Sequence, residues 1–329
     1  MTVRADDLIS VVIPAHNVER FIGQTLQSVL NQTHRALEVI VVDDGSTDGT
    51  AGIVVSMAEQ DPRVRLIRTH NVGVSAARNL AIADSRGEFI ATIDADDLWR
   101  RDKLARQLAV LRASGPEVGL VYCWSAGIDE RNRIILPAWN NSAAAGKVLR
   151  EIVVSGIAGN GSTPLIRRKY IDAVGGYDAG LTLCEDWKFY TALAGVCEFA
   201  VVPDYLTGYR LHLNSASVNV LPMEKAIDGV TEWIVRTWPS LPQSVFVDRR
   251  YTVYAYLAVL AVRQREFYHA LRYLALALRA RPGKALTLSY LQLYPLLLAH
   301  AIGLRTFRWQ FWRKPEIFVE APPSGAQNG

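Results

Sequence analysis

Asp94, Asp96 and Asp97 place three carboxylates within four residues, directly after the apolar, β-branched run Glu88–Ile93. Like charges this close repel, so the cluster is either a solvated acidic turn or one neutralised by a hard cation or by hydrogen bonds. Mg²⁺ and Mn²⁺ take oxygen ligands and share them with substrate phosphates, so such a cluster suits phosphate-bearing substrates. A second acidic group, Asp43-Asp44-Gly45-Ser46-Thr47-Asp48, is also ordinary turn and helix-cap chemistry. A third, Glu185-Asp186 before Trp187, is on its residues alone charge favoured in the first turn of a helix. Gly73 and Ser75 stand where a helix should begin, a place that permits close backbone approach and favours phosphate oxygens. Arg78 could reach such phosphates or brace the acidic loop at Asp94.

The elements that must position these groups alternate through about the first 120 residues as strand and helix, the pattern of parallel strands with crossover helices. Strands are expected at Ile9–Ile13, Leu37–Val42, Val64–Arg68, Glu88–Ile93 and Val118–Tyr122. Helices are expected through Phe21–Leu30, Thr50–Gln60, Val74–Ala83 and Lys103–Ala113. The fold class is therefore α/β, an open, mostly parallel sheet with helices on both faces and a C-terminal all-helical extension. Ligands of such sheets bind outside the carboxyl ends of the strands, where Pro14-Ala15-His16-Asn17, the Asp43 cluster and Asp94–Asp97 all fall. From Ser125 to about Asn219 Gly, Asn and Pro are frequent, as in loops that build a second substrate site. Asn160 to Arg168 reads as a turn leading into a short strand, and a helix is expected over Phe189–Ala194. From about Met223 the pattern is helical, with an αα-hairpin ended by Arg281-Pro282-Gly283. The domain division expected is 1–222, with halves at about 8–123 and 124–222, then 223–284 and 285–329.

Composition narrows the class. A chain of 329 residues with 50% hydrophobic residues folds around a sizeable core. Cys123, Cys184 and Cys197 are odd in number and lack metal-ligand spacing, so buried reduced thiols are expected. Residues 1–7 are polar with no apolar signal-like run, so a cytoplasmic location is expected. Between Arg249 and Lys314 the only acid is Glu266, so that half needs an anionic partner or surface. Ala285–Leu304 carries no Lys, Arg, Asp or Glu and could lie in a membrane interface, pack on the protein or span a bilayer. Arg305–Lys314 interleaves aromatics with cations, which suits lipid headgroups; no nucleic-acid module accompanies it, so nucleic acid is not an expected partner.

Five clusters stand in one order: Val11 to Asn17, Val41 to Asp48, Asn71 to Asn79, Asp94 to Asp97, and Glu185-Asp186-Trp187. Together they resemble the family 2 glycosyltransferases, which have a GT-A fold and invert the anomeric centre, over about residues 8 to 215. The resemblance implies Asp96 as the ligand of a divalent cation, Mg or Mn, with Asp94 by the nucleotide ribose or a metal-bound water. It places Asp44 at the nucleobase, with Pro14, Ala15, Asn17, Glu19, Gly73, Ser75, Arg78 and Ala95 around the nucleotide sugar. Asp186 is implied as the base that takes the acceptor proton. Arg210 could hold the diphosphate and His212 could be a further metal ligand, or a surface residue. Many relatives continue the Glu-Asp-Trp motif with an acid and, four residues later, an arginine; Lys188 and Ala192 stand here instead, so the acceptor side is expected to depart from the common pattern. Arg167 and Arg168 are candidates for acceptor-side anionic contacts or surface charge.

The function implied is metal-dependent inverting transfer from a nucleoside diphosphate sugar, a UDP-sugar favoured, to an acceptor hydroxyl. Its setting would be cell-envelope, capsule, O-antigen or exopolysaccharide glycan assembly, on a glycan or lipid-linked glycan at the inner face of the cytoplasmic membrane with peripheral membrane contact. The alternative is a catalytically silent sugar-nucleotide-binding or scaffold protein using its C-terminal helices. A dinucleotide-dependent oxidoreductase fits poorly, because Pro14-Ala15-His16-Asn17 replaces the glycine fingerprint after the first strand.

Overall fold

A computed structural model describes residues 7–211, 219–284 and Phe318. These fall into two compact units: one of residues up to 148 with 157–211 and Phe318, the other of 149–156 with 219–284.

The first unit is built on a nine-stranded sheet. Its parallel part comprises β1 (Ile9–Ala15), β2 (Leu37–Asp44), β3 (Val64–Thr69) and β4 (Phe89–Thr92), in the order β3-β2-β1-β4. Every residue of β1, β2 and β4 is buried, as continuous apolar runs in a sheet covered on both faces should be. Helices α1 (Ile22–Leu30), α2 (Thr50–Gln60), α3 (Val74–Asp84) and α4 (Lys103–Ala113) connect or flank these strands. Because β1, β2 and β4 run parallel as neighbours, the chain leaves their carboxyl ends on one side, into residues 16–19, 43–49 and 93–97.

Beyond β4 the sheet becomes mixed. β5 (Leu98–Trp99), β6 (Val118–Ile128), β7 (Ile134–Asn140), β8 (Leu165–Arg167) and β9 (Glu198–Arg210) continue it as β4-β8-β6-β9-β5, with β7 on β6. β6 and β9 are parallel, while the β4–β8, β6–β8, β6–β7 and β5–β9 pairs are antiparallel. The parallel expectation thus describes the N-terminal half. β9 escaped the loop-like reading of 125–219 because Pro203, Asp204 and Gly208 interrupt its pattern and bulges break its register with β6. Helices α6 (Arg168–Val174) and α7 (Glu185–Ala194) complete this unit.

In the second unit, α8 (Val220–Thr237) buries Val220, Met223, Ile227, Val230 and Ile234, a stripe at helical spacing. α9 (Gln243–Arg263) and α10 (Phe267–Ala280) form the expected hairpin, turned through Arg265 at φ 63°. Buried Arg249 ties α9 to α8 through Thr231 Oγ1 (2.9 Å) and to α5 (Leu149–Val154) through the Val153 carbonyl (2.7 Å). Among the described residues no helix is long and apolar enough to cross a membrane. His212, Ala285–Leu304 and Arg305–Lys314 lie outside the described residues.

Candidate active site

The three loops at the parallel strand ends are laced together by side chains bonded to backbone. Asn17, at φ 52°, donates its N–H to Ser46 Oγ (2.9 Å) and accepts from the Thr47 N–H (2.8 Å). Glu19 accepts from the Gly49 N–H at 2.6 Å, and its own N–H reaches Asp48. His16 Nδ1 lies 2.7 Å from the Asp44 carbonyl, which fixes the proton on Nδ1, and Nε2 accepts from Asn17 Nδ2. Asp44 is buried, and its two oxygens accept from the N–H groups of Val72 (2.7 Å) and Gly73 (2.8 Å). A carboxylate has about four acceptor positions, so each oxygen keeps one for a ligand. Gly73 sits at φ 93°, a conformation natural to glycine, and the space beyond its Cα is open. Ser75 is buried and donates to the Leu181 carbonyl at 2.8 Å. Pro14, Ala15 and Ala95 are buried, and the Ala95 carbonyl accepts from Thr25 Oγ1.

The acidic turn is closed by the Asp97 N–H on the Asp94 carbonyl (3.0 Å). Asp97 is fully buried, accepting from Ser162 Oγ (2.6 Å) and from the Arg210 N–H (2.8 Å). Burial, then the charges of Asp96 and Asp94, raise its pKa well above the ordinary range. Arg210 is 1% exposed: Nε donates to the Asp96 carbonyl (2.6 Å), Nη1 to the Asp129 carbonyl (2.7 Å), and the guanidinium lies over Phe21. Its described contacts brace the turn, leaving only Nη2 without a hydrogen-bond partner. Asp96 is partly exposed and Asp94 is 28% exposed, so the turn directs hard oxygens outward while Asp97 is spent inside. One or two carboxylates completed by phosphate and water is the ligand set Mg²⁺ uses, so these residues fit a divalent cation. Among the described residues no three His, Cys, Asp or Glu side chains could hold a metal by themselves.

Arg78 is 2% exposed and joins this turn to α7: Nη2 meets Asp94 at 2.5 Å and Nη1 meets Glu185 at 2.8 Å. Of its two sequence readings, the geometry is that of a brace. Burial opposes its charge, but Asp94 and Glu185 outweigh burial and keep its pKa well above the usual value. Asp94 still has a raised pKa, because burial and Asp96 exceed the pull of Arg78. Asp186, the second residue of α7, is pushed up to about 7 by burial and by Glu185, with Arg78 acting in the opposite direction. The residue before α7, Cys184, is held at φ 58°, a left-handed conformation uncommon outside glycine and asparagine. A carboxyl that titrates near neutrality can accept a proton from a hydroxyl and later release it.

Two expectations need correction. Arg167 donates to the Val118 and Leu111 carbonyls, and Arg168 to the Gly87 and Ile82 carbonyls and Ser85 Oγ. Both spend donors on groups at the ends of other elements, and Arg167 also faces Glu88, so neither is set out as a free acceptor-side cation. Lys188 pairs with Asp178. Sequence reasoning missed the loop Ala158–Thr163, which passes under Asp94: a Cβ on Gly161 would lie 3.0 Å from both Asp94 carboxyl oxygens. Its only signal was a Gly-Ser pair in a segment that reads as an ordinary turn.

The model of glycosyl transferase family 2 matches residues 10–175, half of the chain. TuaG of Bacillus subtilis, named as a teichuronic acid biosynthesis glycosyltransferase, is 41% identical over 102 residues, 31% of this chain and 40% of TuaG. Chondroitin synthase of Escherichia coli is 29% identical over 224 residues, 68% of this chain and 32% of that protein. The chain thus spans less than half the length of these curated relatives. Among solved structures, S. aureus TarS 1–349 in complex with UDP-GlcNAc superposes with a TM-score of 0.54 at 18% identity, covering 93% of each chain. The mannosyltransferase PcManGT of Pyrobaculum calidifontis, in complex with GDP-Man and Mn²⁺, gives 0.59 at 22% identity, covering 89% of this chain and 86% of that one. These likenesses establish the GT-A fold. With its strand-end loops and acidic turn inside the matched region, this chain belongs to glycosyl transferase family 2.

Proposed function

We propose that this protein transfers a sugar from a nucleoside diphosphate sugar, a UDP-sugar favoured, to an acceptor hydroxyl with inversion. The observation that carries the reading is the joint bracing, by buried Arg78, of an outward acidic turn and of the helix that presents Asp186. Asp186 would take the acceptor hydroxyl proton as that oxygen attacks the anomeric carbon in a single displacement. Asp96, with Asp94 beside it, would hold Mg²⁺ or Mn²⁺, whose charge stabilises a departing diphosphate. Asp44 would accept from the imide N–H of a uracil on its remaining lone pairs, while the Gly73 backbone and the start of α3 leave room for phosphate. Arg210, held under the turn, would keep Asp96 in place. The binding of UDP-GlcNAc by TarS and of GDP-Man and Mn²⁺ by PcManGT supports a nucleotide-sugar donor and a divalent cation.

The relatives named for teichuronic acid and chondroitin synthesis support a glycan acceptor, and with it cell-envelope or exopolysaccharide assembly. Work at an anionic membrane surface, the inner face of the cytoplasmic membrane, is supported by the basic C-terminal sequence and by one face of α10. There Tyr268 is 78% and Leu271 57% exposed, with Arg272 and Arg279 at helical spacing beside them. The test of the donor reading is a thermal-shift panel of UDP- and GDP-sugars with and without Mn²⁺, since a ligand of the native state raises its melting temperature. A shift for one nucleotide that requires the metal is expected; no shift with any of them would sink the reading.

A further inference from the structure

We infer that Ser162 is a positioning residue for the acidic turn: its hydroxyl sets where Asp96 is presented and so governs metal-dependent binding of a nucleoside diphosphate. The inference rests on the donor reading above and concerns a residue outside the motifs that suggested it.

Ser162 is fully buried. Its hydroxyl does two things at once, accepting the Asp94 N–H at 2.9 Å and donating to Asp97 Oδ2 at 2.6 Å. Asp96 lies between these two anchored residues, so one side-chain oxygen holds the Asp94 backbone before it and the Asp97 carboxylate after it. From the other side Arg210 holds the same turn, by its N–H on Asp97 Oδ1 and its Nε on the Asp96 carbonyl. Ser162 is itself immobilised. Its N–H donates to Asn160 Oδ1 (2.9 Å), and its carbonyl accepts from Trp99 Nε1 (2.7 Å) and Thr207 Oγ1 (3.2 Å). The neighbouring Gly161 has no room for a side chain, since a Cβ would lie 2.8 Å from Arg78 Nη2. The loop therefore meets the turn at a fixed distance, and only a small hydroxyl residue can both accept from an amide and donate to a carboxylate across that gap. Alanine does neither.

Groups that orient a metal ligand without touching the metal commonly change metal affinity about 10- to 100-fold when removed. In the full-length chain, calorimetric titrations of UDP and of GDP across a Mn²⁺ series should therefore show Ser162→Ala needing about tenfold more Mn²⁺ or beyond for half-maximal binding. Metal-free nucleotide affinity should stay at the wild-type value, a split that general damage to the site would not produce. Ser162→Thr keeps the hydroxyl and should recover most of the Mn²⁺ dependence. Should Ser162→Ala fail to fold, Ser162→Cys, with a thiol that donates and accepts weakly, makes the same comparison. Wild-type Mn²⁺ dependence in a folded variant, or an equal loss with and without metal, would overturn the inference alone. A wild-type chain that binds neither nucleotide in a Mn²⁺-dependent way would overturn the donor reading, and this inference with it.

Discussion

Replacing Arg78 with methionine, which keeps the stem and removes the charge, tests whether one buried guanidinium holds the candidate site together. It would leave Asp94, Glu185 and Asp186 crowded in one recess without their counter-charge. Two hydrogen bonds to ionised groups are lost, each worth about 1.5–3 kcal/mol. Breaking a buried pair by removing one partner typically costs about 3–5 kcal/mol, and we expect that loss at pH 8. Against a total of about 5–15 kcal/mol the variant folds but is clearly weakened. The pH dependence carries the diagnosis. Arg78 lowers the pKa of both Asp94 and Asp186, so its removal raises them further. A carboxyl whose folded pKa exceeds its unfolded value near 3.9 destabilises the fold progressively as pH rises from the lower value to the higher, by about 1.4 kcal/mol for every tenfold fall in proton concentration. The penalty should therefore shrink at pH 5.5, where these carboxyls take up protons. Urea unfolding of wild type, Arg78→Met and Arg78→Lys at both pH values measures it. A loss under about 1 kcal/mol at pH 8, the range of an exposed pair, or a larger loss at pH 5.5 than at pH 8, would refute the reasoning.

The Asp186 carboxyl must be ionised to act as a base, so kcat/KM should rise with pH and level off above about 7. Asp186→Asn should abolish transfer and leave donor binding intact; unchanged turnover, or a flat wild-type profile from pH 5 to 9, would contradict the role. The same raised pKa means that ionising Asp186 weakens the fold as pH climbs from about 4 to about 7, so Asp186→Asn should remove that part of the pH dependence of stability. Gly73→Ala places a Cβ at φ 93° in open space, so it should cost about 1–3 kcal/mol of strain in urea unfolding without a clash. No measurable loss there would mean the loop relaxes. Replacing Tyr268 and Leu271 together with serine should reduce partition of the full chain onto phosphatidylglycerol vesicles at low salt while leaving the melting temperature unchanged. Equal partition would exclude α10 as the contact.

Legibility followed the range of the interaction. The β1 to β4 repeat was readable because β1, β2 and β4 are largely apolar, β3 carries Val64, Leu66 and Ile67 alongside its arginines, and local turn signals bound each strand; residues 50–60 and 103–113 form helices over the expected spans. β7 and β9 were not: Pro137 and register shifts interrupt the hairpin that β7 forms with β6, while β9 pairs with β6 from far along the chain and its own pattern is broken by proline, glycine and bulges. At the site, acidic residues and glycines announced themselves by type and place. The partners of the charged residues did not: Arg78 could equally have faced phosphate, Arg167 and Arg168 turned to carbonyls, and Arg210 lies under the turn instead of at its surface.

Residue types and their order were therefore enough to identify an α/β sheet, an acidic turn after its fourth strand, and the family to which that order belongs. Chemistry of this kind needs particular side chains at strand ends, and such requirements are local. Which acid points outward, which is buried, and which serine joins them depended on three segments meeting: residues 94–97, 158–163 and 210. Burial and neighbouring charge set the proton affinity of Asp186, and both arise only when α3, α7 and the turn after β4 surround Arg78. Those contacts join residues up to 107 positions apart, a separation that no window of sequence spans.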